Sequence, residues 1–247
     1  MRALSAAELL SVWECGLGQD FVGRAVTLLS AANPELTAAE IAELPIGRRD
    51  ASLLKLREWT FGSRISSVAT CPDCGGNFEI VFETEAILAG SGMETRAQSG
   101  DFRILVDGVE LHLHLPNSND VAAALGCQDA DEARRELLRR CVVASDAFVG
   151  DTKLEDLPSA VKEAAEDALA HADPLADIRL AVSCTDCGRR WYEVFDVAHF
   201  FWAELHAWAV RILREVHVLA SAYGWPEEVI LGMTPSRRSF YLEMTAT

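Results

Sequence analysis

The sequence lacks three features that would each indicate a particular class of protein. No uninterrupted apolar stretch follows Met1 and Arg2, so no secretory signal is expected. No nucleophile with an acid–base partner and no phosphate-cradling glycine loop stands out. Basic side chains are few: 22 lysines and arginines face 38 aspartates and glutamates, for a formal net charge of −16. A field of this sign repels phosphates and argues against binding of DNA or RNA.

Cysteine is present in a number that allows both metal ligands and free thiols. The chain has 247 residues, half of them hydrophobic, so it can bury a core that folds without disulfides. We therefore expect the protein to stay in a reducing compartment. Four of the seven cysteines come in two pairs. The other three stand singly in helix-like sequence, where a free thiol is usually a small core residue: Cys15, Cys127 and Cys141.

Two copies of the motif Cys-X-Asp-Cys-Gly are the strongest local signal. They begin at Cys71 and Cys184, and apolar and β-branched residues lead into and out of each. Such a turn, which we call a knuckle, supplies two thiolates, and a tetrahedral zinc ion prefers four soft ligands. Gly75 and Gly188 can adopt the positive φ that closes a knuckle. The sequence predicts one structural zinc site with four ligands: Cys71, Cys74, Cys184 and Cys187.

The separation of the two knuckles is unusual for a zinc ribbon. Cys74 and Cys184 lie 110 positions apart, whereas the two pairs of a zinc ribbon are commonly about 15–20 residues apart. A large insertion must therefore lie between the two halves of the site. Iron held by the same thiolates, a redox pair and plain core cysteines remain as alternatives.

Hydrophobic periodicity predicts an α+β fold that is mostly helical. Residues 1–88 and 176–247 are expected to form a discontinuous core that carries a split zinc-ribbon-like β element. Residues 89–100 read as a linker, and residues 101–175 as an acidic inserted subdomain. The insertion should hold one hairpin around an Asp-Gly turn and three helices, the second from Asp129 to about Ala144. Residues 71–182 carry most of the acidic excess, with 22 acidic against 9 basic side chains.

The longest predicted helix runs from about Val197 to Tyr223. Apolar residues recur along it at steps of three and four, which gives one continuous apolar stripe. Charged residues such as Glu204 and Arg211 interrupt it throughout, so it is not expected to span a membrane. Its wide apolar face predicts that this helix is the central helix, or spine, of the core, or that part of it forms an interface with another protein.

Two pairs of side chains have both a structural and a functional interpretation. Arg48 and Arg49 fall in a predicted turn before a helix that starts at Asp50. A solvated turn or an internal ion pair is favoured over a docking point for a partner's acidic groups. His112 and His114 share one face of a predicted strand, where a surface pair is favoured over a metal site because no third ligand is suggested nearby.

Several segments together form a pattern that resembles a known family. The C-terminal ones are Val216–Ala220, Tyr223–Leu231 and Ser236–Leu242; the others are Trp13-Glu14, Leu44–Asp50 with the leucines after it, both knuckles, and Leu115–Asp120. The C-terminal pattern resembles the baseplate-assembly proteins of T-even-type contractile phages. The fuller arrangement is similar to baseplate-type proteins encoded in bacterial contractile injection system gene clusters.

The resemblance implies a non-enzymatic role in building a baseplate, as an assembly factor or as a minor component. It implies baseplate or hub proteins as partners. It also implies a location in the bacterial cytoplasm, and in the assembled particle if the protein stays there. Aromatic and arginine side chains concentrate interface energy. The contacts to partners expected under the resemblance are Arg48, Arg49, Trp225, Arg237, Arg238 and Tyr241.

Two other classes of protein remain as alternatives. A zinc-dependent metalloenzyme needs an open coordination position, which four thiolates do not leave, so it would require His112 or His114 in a mixed site. A nucleic-acid-binding zinc ribbon is disfavoured by the acidic charge.

Overall fold

The structure, a computed structural model, describes residues 1–90, 100–145 and 157–245. The helices in these ranges are α1 (Ala6–Gly16), α2 (Phe21–Ala32), α3 (Ala38–Ala42), α4 (Ile46–Phe61), α5 (Thr84–Gly90), α6 (Ser118–Leu125), α7 (Ala130–Cys141), α8 (Ser159–Ala172), α9 (Val197–Tyr223), α10 (Glu227–Leu231) and α11 (Pro235–Thr245). The strands are β1 (Arg64–Thr70), β2 (Asn77–Glu83), β3 (Asp101–Val106), β4 (Val109–His114), β5 (Val142–Ser145), β6 (Arg179–Ser183) and β7 (Arg190–Val194). The prediction of a mostly helical α+β chain with a long C-terminal helix is confirmed.

Local signals define where the first helices begin. α1 starts after Ser5, whose hydroxyl accepts a hydrogen bond from the N–H of Glu8, while the Glu8 carboxylate accepts one from the N–H of Ser5. The same reciprocal arrangement joins Thr37 and Glu40 at the start of α3. Each capping box satisfies N–H groups that a helix start leaves without a partner.

The main core lies between α9 and the N-terminal helices α1, α2 and α4. Phe201 and Leu205 of α9 are fully buried there, together with Leu28 of α2. The guanidinium of Arg57 on α4 makes two hydrogen bonds to the Glu204 carboxylate on α9, at 2.7 and 2.8 Å. The apolar stripe predicted for this helix is therefore the spine of the core, and a bidentate ion pair ties α4 to it.

The strands form three small sheets, one of which differs from the prediction. β1 pairs with β2 and β6 with β7, each as an antiparallel hairpin. In the insertion, β5 adds a third strand to the predicted β3–β4 hairpin. The prediction of a helix through Ala144 is wrong, since α7 ends at Cys141 and Val142 is already extended. Two adjacent valines favour a strand once a neighbouring strand edge is available to pair with them.

Two further boundaries differ from the sequence prediction. α4 begins at Ile46, so Arg48 and Arg49 lie in its first turn rather than in a loop. Pro45 precedes it with φ −50°, near the angle its ring imposes, and a proline there leaves no N–H unpaired. α5 covers the start of the predicted linker, up to Gly90, and residues 91–99 of that linker lie outside the described residues.

A polar seam joins the insertion to the core. It consists of residues 45–50, residues 116–118 and Asp173. The N–H of Ile46 donates to the carbonyl of Pro116 (2.9 Å), and the N–H of Gly47 donates to the Asp173 carboxylate (2.8 Å). The insertion has its own apolar cluster, centred on Leu111 and Leu113. The seam therefore links the start of α4 to two later segments through hydrogen bonds whose donors are buried backbone groups.

The long helix α9 does not alter the expectation about membranes. Among the helices of the described residues, none has both the length and the apolar character that crossing a membrane requires.

Candidate metal centre

Each cysteine pair lies in a tight turn between two antiparallel strands. The N–H of Cys71 donates to the carbonyl of Gly76 at 2.9 Å, and the N–H of Cys184 donates to that of Arg189 at 2.8 Å. The glycines that follow the second cysteines have φ of 71° and 74°, a region that side chains strain. The positive φ predicted for both glycines is confirmed: Gly75 and Gly188.

The two knuckles face each other and bring four sulfur atoms together. The Sγ atoms of Cys71 and Cys187 are 3.6 Å apart, as are those of Cys74 and Cys184. All four sulfurs lie within 4.8 Å of one another. A tetrahedron with metal–sulfur bonds of about 2.3 Å has sulfur–sulfur distances of about 3.8 Å. The cluster therefore has the size and donor set needed to hold one metal ion.

The pKa values of two of the sulfurs are shifted in opposite directions. Backbone N–H groups of Cys74 and Asp73, together with the neighbouring thiols, lower the pKa of the Cys71 thiol to about 7. The N–H of Arg189 favours the Cys187 thiolate as well, but the adjacent Cys71 and burial outweigh it and raise the pKa of Cys187 to about 12. The four groups cannot all ionise next to one another unless a cation compensates their charge.

Side-chain contacts around the sulfurs are reciprocal between the two hairpins. Phe78 packs edge-on against Trp191, with ring centroids 5.7 Å apart, and Phe82 packs edge-on against Phe195 at 5.2 Å. The Arg189 guanidinium lies 3.8 Å from the Asp73 carboxylate. The sequence prediction did not include these residues, although each aromatic residue stands at the same distance after its own knuckle as its partner.

The aromatic layer under the sulfurs gives a first prediction. Phe195 is 8% exposed and contacts both Phe82 and Phe200, so Phe195→Ala removes a buried ring. We expect a loss of about 3–5 kcal/mol in the free energy of unfolding, measured by urea denaturation of the metal-loaded protein. Phe240→Ala is the matched control, because that ring is 64% exposed. Equal losses in the two variants would contradict the assigned packing.

A second group of possible ligands lies in the insertion and comprises His114, Asp120 and Cys141. Both ring nitrogens of His114 are 2.8 Å from backbone carbonyls, those of Leu115 and Arg140. One oxygen of Asp120 accepts from the Arg140 side chain (2.9 Å) and the other from a backbone N–H. His114 and Asp120 therefore already have hydrogen-bond partners in the protein, whereas the four cysteine sulfurs face one another.

The structure separates the two arginines of the α4 start. Arg48 is exposed and makes no ion pair within the described residues. It lines a polar cavity of about 620 Å³ at the seam. Arg49 is only 4% exposed, donating to the Asp50 carboxylate at 2.7 Å and to the Ser118 hydroxyl at 3.2 Å. Arg49 is thus an internal residue of the seam with an ion pair to a nearby carboxylate, an arrangement that the residue types favoured over a docking point. The partner contact was expected for it only under the family resemblance.

The carboxylate beside Arg49 gives a second prediction. Burial raises the pKa of Asp50 from 3.8 to about 6, despite the attraction of Arg49. Because the folded state binds this proton more tightly than the unfolded chain, ionised Asp50 lowers stability above pH 6. The penalty disappears as the pH falls towards 4. We expect Asp50→Asn, which keeps an oxygen that can accept from Arg49, to be more stable than the parent at pH 7.5 by on the order of 1 kcal/mol.

The difference between the two proteins, measured by urea denaturation, should shrink between pH 7 and pH 4.5. Taking the difference removes the effect of metal loss in acid, which both proteins share. An Asn variant less stable than the parent at pH 7.5 would mean that the attraction of Arg49 exceeds the cost of burial.

The C-terminal residues expected to contact partners also divide into internal and exposed ones. Trp225 and Tyr241 are half-buried and pack edge-on at 4.8 Å, and Arg237 is exposed with its guanidinium 5.8 Å from the Tyr241 ring centre. Arg238 is 5% exposed and is bound inside by the Glu215 carboxylate (2.9 Å). Phe240, which the sequence prediction omitted, is 64% exposed; local spacing does not reveal which apolar face of a short helix is left uncovered.

A known protein family matches most of this chain. A family model described as "T4 bacteriophage base plate protein" matches residues 27–202, a range that contains both knuckles and the seam. No curated protein and no solved structure matches the chain significantly. Because the match covers well over half of the sequence, the chain belongs to the T4 bacteriophage base plate protein family.

Proposed function

We propose that this chain acts without enzymatic activity in building the baseplate of a contractile, phage-tail-like injection system, as an assembly factor or as a minor baseplate component. The family match over residues 27–202 is the observation that carries the proposal. The proposed partners are baseplate or hub proteins. The proposed location is the bacterial cytoplasm, with the assembled particle as a second location if the chain is a component.

The proposal includes a structural zinc ion bound by the four clustered cysteines. Four thiolates from two knuckles form the donor set of closed zinc sites, and sulfur–sulfur contacts of 3.6 Å fit it. When bound, zinc would supply charge compensation and a cross-link between the halves of a split zinc ribbon. Iron is the chemical alternative for the same donors.

The same donor set supports a structural rather than a catalytic metal. A catalytic zinc keeps one position for water or substrate, and four thiolates complete the tetrahedron. His114, one of the two histidines that a mixed site could use, has both ring nitrogens 2.8 Å from backbone carbonyl oxygens. The side chains near the sulfurs are aromatic rings and an Asp73–Arg189 pair, which suit packing better than proton transfer.

We place the partner surfaces at two exposed positions of the fold. One is Arg48 at the seam cavity. The other is the C-terminal patch, which we define as Arg237, Phe240 and Met244 on α11 with the adjoining edges of Trp225 and Tyr241. Phe240 and Met244 are 64% and 63% exposed and one helical turn apart. An exposed apolar pair beside an arginine is typical of an interaction surface.

The test is capture of a tagged copy from the native bacterium, with mass spectrometry of the proteins recovered and of purified particles. Baseplate or hub proteins in the capture would support the proposal, and presence or absence in particles would distinguish component from assembly factor. The variant Arg237→Ala/Phe240→Ala should reduce this recovery, whereas Leu105→Ala, which removes an apolar residue 73% exposed on the insertion, serves as control. Capture of metabolic enzymes or RNA instead would overturn the proposal.

A further inference from the structure

Two segments of the chain resemble each other beyond their cysteines. Residues 44–83 align with residues 157–196 without a gap, and eleven positions are identical. The identical pairs are Leu44 and Leu157, Pro45 and Pro158, Ala51 and Ala164, Leu56 and Leu169, Ile65 and Ile178, Cys71 and Cys184, Asp73 and Asp186, Cys74 and Cys187, Gly75 and Gly188, Val81 and Val194, and Phe82 and Phe195.

The two segments also share the order of their main elements and several of the boundaries, although the second copy has a short 3-10 helix, Pro174–Ala176, between its helix and its first strand. α4 and α8 both begin directly after the aligned prolines, which have φ of −50° and −54°. β1 and β6 end at aligned residues, Thr70 and Ser183, and β2 and β7 begin at aligned residues. α5 and α9 then start at the aligned Thr84 and Val197. Each segment is one copy of a module made of a helix, a cysteine hairpin and the start of a second helix.

Contacts between the two hairpins at the cysteines and at two aromatic pairs obey a two-fold rule. Cys71 contacts Cys187, and the aligned residues Cys184 and Cys74 make the same contact at the same distance of 3.6 Å. Phe78 and Trp191 are aligned with each other and in contact, as are Phe82 and Phe195. When a residue of one copy contacts a residue of the other, the two residues aligned with them make the same contact with the roles of the copies exchanged. This exchange is the property of an interface between two like bodies.

The junction between the copies is built from side chains. The two hairpins belong to separate sheets, and within the described ranges no ladder of backbone hydrogen bonds joins one to the other. The bases of both hairpins are anchored in the main apolar cluster through Ile65 and Phe195, so the clasp concerns the tips that carry the cysteines, where two strands alone are marginally stable in water. The helical core, by contrast, buries fully covered residues such as Phe201, Leu28 and Leu53 away from the sulfurs.

We propose that the cysteine cluster is a metal-dependent clasp on the pseudo-two-fold axis between two duplicated modules. Metal binding holds the hairpins together. Metal release opens this junction and uncovers Phe78 and Trp191, while the helices of the main core remain folded. The proposal rests on the metal site of the proposed function and is independent of the baseplate role, which the capture experiment tests separately.

The test is hydrogen exchange with mass spectrometry on the full chain, after the bound metal has been measured by elemental analysis. Exchange is compared before and after treatment with a zinc chelator under reducing conditions. We expect amide protection in both hairpins to fall at least tenfold and in parallel, with α2 and the first half of α9 unchanged. The Cys15→Ser variant, which changes an exposed cysteine outside the cluster, should respond as the parent does.

Three results would overturn the clasp. Unchanged protection in the hairpins after complete metal removal would show that the metal does not hold them. Parallel loss of protection in α2 and α9 would show that the metal supports the whole fold rather than a local junction. Absence of metal from the purified protein, with no uptake of added zinc, would remove the metal site and the clasp together but leave the baseplate proposal standing.

The duplication has a test that does not involve metal. Phe78→Trp and Trp191→Phe each change the volume of the aromatic layer and should lower the melting temperature. Their combination exchanges the two rings across the pseudo-two-fold axis and should restore most of the loss. Tyr223→Trp with Trp225→Tyr exchanges a stacked pair that the alignment does not relate, so no such recovery is expected there. Additive losses in the Phe78 and Trp191 double variant would contradict the two-fold equivalence.

Discussion

Cys187→Ser is expected to abolish metal binding and to unfold both hairpins. Removing one thiolate leaves three ligands for a site that four sulfurs form within 4.8 Å of one another. Structural zinc contributes roughly 10–16 kcal/mol in small zinc domains, so a fraction of that energy exceeds the stability of a two-stranded hairpin. We expect the metal content to fall from one ion per chain to near none, and amide protection in both hairpins to fall at least tenfold, while the helices of the main core stay folded.

Cys74→Ser should reproduce this result, because Cys74 occupies the aligned position in the other knuckle. Cys15→Ser is the matched control: it makes the same chemical change at an exposed cysteine outside the cluster and should retain both the metal and the protection of the hairpins. Metal content by elemental analysis and hydrogen exchange with mass spectrometry decide between the outcomes. Full metal occupancy in Cys187→Ser would remove that residue from the ligand set.

Gly47→Ala is expected to disrupt the seam between the core and the insertion. A Cβ atom at position 47 would lie 1.8 Å from Oδ1 of Asp173 and 2.9 Å from Cβ of Leu175. Asp173 and Leu175 are both only 5% exposed, so neither can move aside into solvent. The substitution forces Asp173 away and breaks its 2.8 Å bond from the Gly47 N–H. Overpacking and the lost charge-assisted hydrogen bond together predict a loss of about 3–5 kcal/mol.

Gly18→Ala supplies the control for this substitution. A Cβ atom there meets nothing within 4 Å, and Gly18 is not among the residues with positive φ. Its free energy of unfolding should change by less than about 1 kcal/mol. Urea denaturation followed by circular dichroism measures both variants. If Gly47→Ala is no less stable than Gly18→Ala, the Asp173 carboxylate does not lie against Gly47 as described.

Features that depend on neighbours in the sequence were predictable. The capping boxes at Ser5 and Thr37 act within one helical turn, and the structure forms both. The apolar stripe of α9 follows from steps of three and four residues, whatever packs against it. The knuckles were predictable for the same reason, since two thiolates and a glycine with positive φ are contained in five consecutive residues.

Features that depend on distant residues were not predictable in the same way. Val142 and Val143 became a strand only because β4 offers an edge to pair with. Arg49 is buried with Asp50 and Ser118 as hydrogen-bond acceptors, and Arg238 is buried with Glu215 as its acceptor. A guanidinium is stable in a protein interior only where such acceptors are present. In the sequence the four arginines look alike, and no local pattern separates internal arginine residues from exposed ones.

The sequence by itself determined the class of fold, the position of most helices and the identity of the four clustered cysteines, because each of these is encoded by spacing within a few residues. Tertiary structure decided which hairpin faces which, and thus that Cys71 lies against Cys187 and Cys74 against Cys184. It also decided which arginines are buried and that the aromatic rings after the knuckles meet. The physical reason is that these contacts join residues more than a hundred positions apart, where only the packing of the whole chain specifies distance.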